Sequence, residues 1–254
     1  MKKLICFACF TALSLTSCST GGDSSPATES DVLLKKSVET YANDGSVITT
    51  NYTYNGKKMV KASDSDGYYE TYTYTGDLLT QVKYYSDTDE LEETETFTYS
   101  GDQIVTYVRS EIIDNIGFKE TYVHNSNGTV TSAGFSGNAT TQTTPSTTGT
   151  VTFLGGEVSM ISVNVGSFTT SHTYTYDTKN NPFMNVTGFD KIGFIDSEAN
   201  SLHHNTLTDT YNNFSGNTIY TSTYTYNSLN FPVTASEIEG TEASTIITTQ
   251  FTYN

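Results

Sequence analysis

The feature that most constrains this chain is a short unit that it keeps rewriting: an aromatic, a threonine, an aromatic, then a turn. Tyr72-Thr73-Tyr74-Thr75-Gly76-Asp77 is the clearest copy. Tyr52-Thr53-Tyr54-Asn55-Gly56, Phe97-Thr98-Tyr99-Ser100-Gly101, Tyr122-Val123-His124-Asn125, Tyr174-Thr175-Tyr176-Asp177, Tyr224-Thr225-Tyr226-Asn227 and Phe251-Thr252-Tyr253 repeat it. The closing aromatics fall at Tyr54, Tyr74, Tyr99, His124, Phe153, Tyr176, Tyr226 and Tyr253, separated by 20, 25, 25, 29, 23, 50 and 27 residues. A period of about 25 with one double step marks a repeat architecture.

Thr, Tyr, Val and Ile suit a pleated surface, where residues two apart share a face. Tyr72 and Tyr74 therefore lie on one side and Thr71, Thr73 and Thr75 on the other. A second, mixed apolar strand follows each turn: Leu78 to Tyr85, Gln103 to Ser110, Thr129 to Phe135 and Glu157 to Asn164. Asn43-Asp44-Gly45, Asn55-Gly56, Asn127-Gly128 and Ser215-Gly216-Asn217 are hairpin signals, and connections this short force antiparallel neighbours. The expected fold is all-β, an antiparallel up-and-down meander of roughly sixteen strands. It is expected to curl into a soluble barrel-like sheet with one irregular or helical insert. A sandwich or an open curled sheet is the alternative; a barrel is favoured because closure removes vulnerable edges. It requires the strand around Leu33–Tyr41 to pair with the one ending at Tyr253.

Two segments break the rhythm. Ser136 to Gly149, a Thr/Ser/Gly run with Pro145, reads as a long mobile loop. Asn180 to His204 carries Phe183, Met184, Val186, Phe189, Ile192, Phe194 and Ile195, too many apolar residues for a solvated loop. It reads as an insert plugging the core, ahead of a lid over a binding cavity.

At the N-terminus, Lys2 and Lys3 precede an apolar run from Leu4 to Leu15, the layout of a secretory signal. Leu15-Thr16-Ser17-Cys18 resembles the lipobox of bacterial lipoproteins, which implies cleavage of residues 1–17 and diacylation of Cys18. Cys6 and Cys9 leave with the signal, so no disulfide or thiol nucleophile remains. Residues 18–31, rich in Ser, Thr and Gly, read as a lipidated tether, and 32–254 as a single repeat-built domain. The address is the cell envelope, lipid-anchored at the outer membrane, with its periplasmic or surface face undecided. The formal charge of −16, more negative by two once the signal is removed, repels nucleic acid and anionic headgroups. Membrane contact is therefore expected through the anchor alone. A membrane-spanning barrel needs apolar residues facing lipid on every strand. The face opposite the tyrosines is instead mainly Thr, Lys, Glu and Ser, which argues against a true porin.

The Tyr-x-Tyr-(Asn/Asp)-x-x-Gly rhythm resembles the YD/Rhs class of tyrosine repeats. Tyr176-Asp177-Thr178-Lys179-Asn180-Asn181-Pro182-Phe183, in a chain with a lipobox, is similar to Bacteroidota lipoproteins. A related family of unknown function has an antiparallel sheet curled into a porin-like barrel. The resemblance implies a fold and an address; it carries no activity and no catalytic residue.

No chemistry stands out beside it. His124, His172, His203 and His204 lack ligand spacing with Cys or clustered acids. Asp64-Ser65-Asp66-Gly67 opens like a calcium loop without the closing glutamate, and Asp87-Thr88-Asp89-Glu90 is a denser acidic turn. Asp64, Asp66, Asp87 and Asp89 are weak metal candidates: a hairpin turn with two exposed acids explains the first pair, and weak divalent binding is a hypothesis for the second. Gly-x-Ser-x-Gly and a phosphate-cradling loop are absent. No cofactor and no enzymatic activity are expected. The leading reading is a binding or structural protein taking an envelope glycan, peptide or amphiphile through a tyrosine-rich face or cavity. The candidate contacts are Tyr72, Tyr74, Tyr174, Tyr176, Phe183, Phe189 and Phe194. The alternatives are an assembly lipoprotein docking a protein partner and, behind it, a glycan hydrolase.

Overall fold

The computed structural model describes residues 28–240 and 245–254. The expected signal, Cys18 and most of the tether lie outside the described residues. Of the tether, Thr28 to Asp31 are described, with a 3-10 turn at Glu29–Asp31. Asn180 Nδ2 donates to Glu29 Oε1 at 2.6 Å and Asn185 Nδ2 to the Glu29 carbonyl at 2.7 Å, so this turn is tied to the insert.

Sixteen strands follow. The first eight are β1 Leu34–Tyr41, β2 Val47–Asn55, β3 Lys58–Asp64, β4 Tyr69–Thr75, β5 Leu78–Tyr85, β6 Leu91–Ser100, β7 Gln103–Glu111 and β8 Ile116–His124. The second eight are β9 Val130–Asn138, β10 Thr141–Leu154, β11 Glu157–Val165, β12 Phe168–Asn180, β13 His204–Asn213, β14 Gly216–Tyr226, β15 Pro232–Glu239 and β16 Thr245–Tyr253. Each pairs antiparallel with the next, and β1 pairs with β16 in the register Leu34↔Tyr253 to Tyr41↔Ile247, closing the barrel. The expected meander and its closure are both present.

The period-two pattern sorts the wall. Tyr52, Tyr54, Tyr72, Tyr74, Phe97, Tyr99, Tyr122 and Tyr174 turn inward, while Thr73, Thr96, Thr98, Thr150, Thr173, Thr175, Thr223 and Thr225 are exposed outside. Inward rings and outward threonines follow from burying large apolar area while leaving hydroxyls in water.

The repeated unit also builds a recurrent irregularity. At Tyr54, Tyr74, Tyr99, Phe153 and Tyr226 the closing aromatic faces an apolar residue across its hairpin and the ladder then skips one residue, whereas His124 pairs with Val130 without a skip. Tyr54 pairs with Met59 but Thr53 with Lys61; Tyr74 pairs with Leu79 but Thr73 with Gln81; Tyr99 pairs with Ile104 but Thr98 with Thr106. Such bulges bend and twist a strand, which is how a sheet is curled into a barrel. The turns that precede them need a left-handed residue, supplied by Gly76 (φ 57°) and Gly101 (φ 64°).

Between hairpins the ladder stops short of this end. β5 and β6 last pair at Gln81↔Thr96, and β7 and β8 at Thr106↔Thr121. The aromatic hydroxyl spans the gap: Tyr99 donates to the Leu79 carbonyl at 2.8 Å. Tyr54 to Leu34, Tyr176 to Val158, Tyr224 to Thr206 and Tyr253 to Pro232 do the same at 2.8 Å. His124 substitutes for tyrosine through Nε2–H to the Ile104 carbonyl at 2.8 Å. Each bond satisfies a carbonyl that the splayed ladder leaves without a partner. Where the closing aromatic is Phe153, which has no hydroxyl, the β9–β10 ladder instead continues as far as Val130↔Val151.

One expectation is corrected. Ser136 to Gly149 is not a loop; it forms the end of β9, a two-residue turn and much of β10. Threonine favours strands, and the Pro145 region is accommodated by two register shifts, between Gln142/Thr144 and Pro145/Thr147. The small residues permit close approach: a Cβ on Gly137 would come within 1.9 Å of the Thr141 carbonyl oxygen.

Candidate functional site

Among the described residues, the place where the repeat rule is broken is the connection between β12 and β13, residues 181–203. It contains two 3-10 turns, Phe189–Lys191 and Ile195–Ser197, and folds into one end of the barrel. The expectation of an irregular or helical insert packed on the core describes it well. Three of its aromatics act as wedges. Phe194 meets Tyr122 and Phe153 edge-on, with ring centroids 5.5 and 5.7 Å away. Phe189 lies 6.0 Å from Tyr72 and 5.9 Å from Phe183, and Phe183 meets Tyr52 edge-on at 5.5 Å. Val186 and Ile195 are buried between them.

The candidate contacts Tyr72, Tyr74, Tyr174, Tyr176, Phe183, Phe189 and Phe194 are therefore brought together, as two sides of one packed interior. Three of the four tyrosines turn their polar ends to internal partners, while the Tyr74 hydroxyl is buried without one. Tyr72 Oη donates to Glu70, Tyr176 Oη donates to the Val158 carbonyl, and Tyr174 Oη accepts from Ala199 N at 3.2 Å. Burial pushes the Tyr72, Tyr174 and Tyr176 hydroxyls well above the ordinary phenol range and Tyr74 up to about 12, so they stay protonated.

Carboxylates latch the insert. Glu120 Oε2 accepts from Tyr122 Oη at 2.6 Å and from Asp196 N at 3.1 Å, while Ser197 Oγ donates to its Oε1 at 3.2 Å. Arg109 Nη1 reaches Asp196 Oδ2 at 2.5 Å. Asp196 and Ser197 both have left-handed backbones, φ 56° and 63°. Non-glycine residues held there cost on the order of 1 kcal/mol or more each, so the latch offsets local strain. Glu157, 4 % exposed, collects Leu202 N at 3.0 Å, His203 N and His204 N at 2.8 Å, and His204 Nδ1 at 3.0 Å. Asp177 receives Lys179 N, Asn205 N and the Tyr226 hydroxyl.

These latch residues went unnoticed in the sequence, yet a signal was there. Glu70, Glu95 and Glu120 each stand four residues before a closing aromatic, so strand parity puts them on the tyrosine face. Glu95 duly accepts from Tyr84 at 3.0 Å and Tyr107 at 2.7 Å. Burial, reinforced by the nearby carboxylates of Glu95, Asp64 and Glu93, pushes the Glu70 carboxyl up to about 7 against the pull of its Tyr72 bond.

The weak metal candidates sit in two neighbouring turns at the other end of the barrel. Asp64 Oδ1 accepts from Asp66 N and Tyr68 N, at 2.9 and 3.0 Å, closing its own turn. Asp89 is a left-handed turn residue with φ 61°. Among the described residues no three metal-ligating side chains converge. Of the histidines, His172 Nδ1 lies 2.9 Å from Asp209 and stacks on Tyr211 at 4.5 Å.

No family model matches this chain. No curated protein matches it either. Solved structures do. A porin-like protein from Bacteroides uniformis is 12 % identical with a TM-score of 0.55, over 90 % of this chain and 98 % of that one. A porin-like protein from Bacteroides vulgatus is 12 % identical with a TM-score of 0.56, over 88 % and 99 % of the two chains. At that identity the likeness is one of fold: this chain shares, over nearly its whole length, the barrel of these two proteins.

Proposed function

We propose that this chain is a lipid-anchored, extracytoplasmic barrel without catalytic activity, serving the cell envelope as a binding or structural module rather than as a channel. The observation that carries this reading is the inverted wall. Aromatics and carboxylates point in, threonines point out, and one end of the lumen is blocked by residues 181–203. A membrane-spanning barrel has the opposite requirement, an apolar outer band with a polar interior. Described residues 28–31 and the start of β1 lie at the blocked end, together with Lys57 and Lys58. A lipid on Cys18 would hold that end towards the bilayer and present the far rim outward.

On this reading the tyrosines of the repeat are wall and packing, and contact with a partner falls to the exposed rim. A hydrolase would need two carboxylates converging in an open cleft. Glu70 and Glu95 are instead engaged by tyrosines, and Glu120 by Tyr122 and the insert. The second reading, an assembly lipoprotein docking a protein partner, is favoured by exposed apolar side chains on the far rim, among them Phe168 and Phe214 at 60 % and 83 % exposure.

Two measurements test the proposal. Metabolic labelling with a fatty acid is expected to mark the wild-type chain and not Cys18→Ser, which leaves the membrane fraction. Purified protein added to a planar bilayer is expected to give no conductance steps; stable ohmic steps would overturn the plugged-module reading. In-cell crosslinking separates the two versions, since a single dominant protein adduct favours assembly.

A further inference from the structure

The two ends of the barrel differ in charge as well as shape. Lys35, Lys36, Lys57, Lys58, Lys179 and Lys191 gather at or near the plugged end. The described turns of the far rim carry Asp44, Asp66, Asp87, Asp89, Glu90 and Asp114, and no lysine or arginine. The same rim exposes apolar side chains. Ile113 is 59 % and Tyr68 44 % exposed, with Ile112 and Ile116 beside them. Between Tyr68, Glu92, Glu111, Ile113 and Asp114 lies a concavity of about 240 Å³.

The lining is chemically specific. Tyr68 and Ile113 supply an aromatic and a branched aliphatic wall, and three carboxylates surround them. Arg109 stands beside it, its Nε 3.8 Å from Glu111 while its Nη1 is taken up by Asp196. A hard metal ion wants converging oxygens, which this half-apolar pocket does not offer. It suits an organic cation whose aliphatic stem lies on Tyr68 and Ile113 while its head meets carboxylate.

We propose that this pocket receives the arginine or lysine side chain of a partner polypeptide, with Ile112 and Ile116 covering an apolar neighbour in the same segment. A free amine would leave those isoleucines uncovered. An anionic bilayer would be repelled by the acidic rim. The proposal rests on reading the chain as a binding module and names the chemistry of its partner.

The test is calorimetric titration of the full chain, in mild non-ionic detergent, with an end-blocked peptide alternating leucine and arginine. Saturable binding that weakens with salt is expected. Glu92→Gln and Asp114→Asn should each weaken it by about threefold, as partly exposed ion pairs do. Asp102→Asn at the plugged end should leave it unchanged. Unchanged melting temperatures show that the variants are folded. Equal binding of a citrulline-for-arginine peptide would overturn the proposal, as would equal binding of spermidine or indifference to both rim substitutions. Salt-sensitive self-association abolished by Lys57→Gln with Lys58→Gln would also overturn it, making a second copy the occupant. Binding measured this way is independent of acylation and conductance, so its failure leaves the anchored, plugged barrel standing.

Discussion

Glu70 gives the sharpest quantitative expectation. It faces inward from β4, bonded by Tyr72 and surrounded by the carboxylates of Glu95, Asp64 and Glu93, and burial pushes it up to about 7 from 4.5. A group whose folded pKa is raised contributes stability that is fully present below its unfolded pKa and lost as pH rises through the folded one. Between about pH 4.5 and 7 the folded chain holds a proton that the unfolded chain has released, so stability falls across that window. The full displacement is worth about 3 kcal/mol. Glu70→Gln keeps an acceptor for Tyr72 and removes the charge. The variant should match wild type near pH 4 and exceed it at pH 8 by up to about 3 kcal/mol, or roughly 6–12 °C in melting temperature for a domain of this size. The assay is paired thermal denaturation at several pH values, read as variant minus wild type so that the other acids cancel. A difference that stays flat from pH 4 to 8, or that turns against the variant as pH rises, refutes the burial argument.

Three further expectations follow from the packing. Arg109→Ala strips the guanidinium from half-buried Asp196 and should cost about 2–3 kcal/mol, seen as faster hydrogen exchange and proteolysis confined to residues 181–203. Glu157→Ala leaves three backbone N–H groups and His204 without their acceptor and should cost about 2–3 kcal/mol in urea unfolding, with the same segment loosened. Thr249, 0 % exposed, has a hydroxyl with no hydrogen-bond partner, so Thr249→Val should stabilise the barrel by up to about 1 kcal/mol in the same assay.

Much of the architecture was legible because strand parity and turn chemistry are local. The expected strand from Leu78 to Tyr85 is β5, and the expected Gln103 to Ser110 ends one residue short of β7. The pairing required for closure, of the Leu33–Tyr41 strand with the one ending at Tyr253, is present. Ser136 to Gly149 misled because Ser, Gly and Pro signal loops by composition, whereas here small residues let β8, β9 and β10 approach closely. The insert was found through its apolar density, but not the carboxylates holding it. Glu120 and Glu157 lie 76 and 45 residues or more from the insert atoms they hold, a separation that no local pattern encodes. The rim pocket is harder still, since Tyr68, Glu92 and Ile113 meet only after the sheet has curled.

The tyrosine bond that reaches back to the preceding hairpin has a consequence for how this barrel knows its size. Most units, those of Tyr54, Tyr99, His124, Tyr176 and Tyr253, carry such a connector, and a connector of this kind can be repeated any number of times without altering its geometry. Nothing in Tyr99 gripping the Leu79 carbonyl distinguishes a ring of seven hairpins from one of nine. Beside the pairing of β1 with β16, the circumference is met from within by an object of fixed width. Phe194 touching both Tyr122 and Phe153, and Phe183 touching Tyr52, make the 181–203 segment that object. The repeat supplies the tiling and the one irregular segment fits the ring it makes, so gaining or losing a hairpin in such a chain would call for a matching change in the segment that plugs its end.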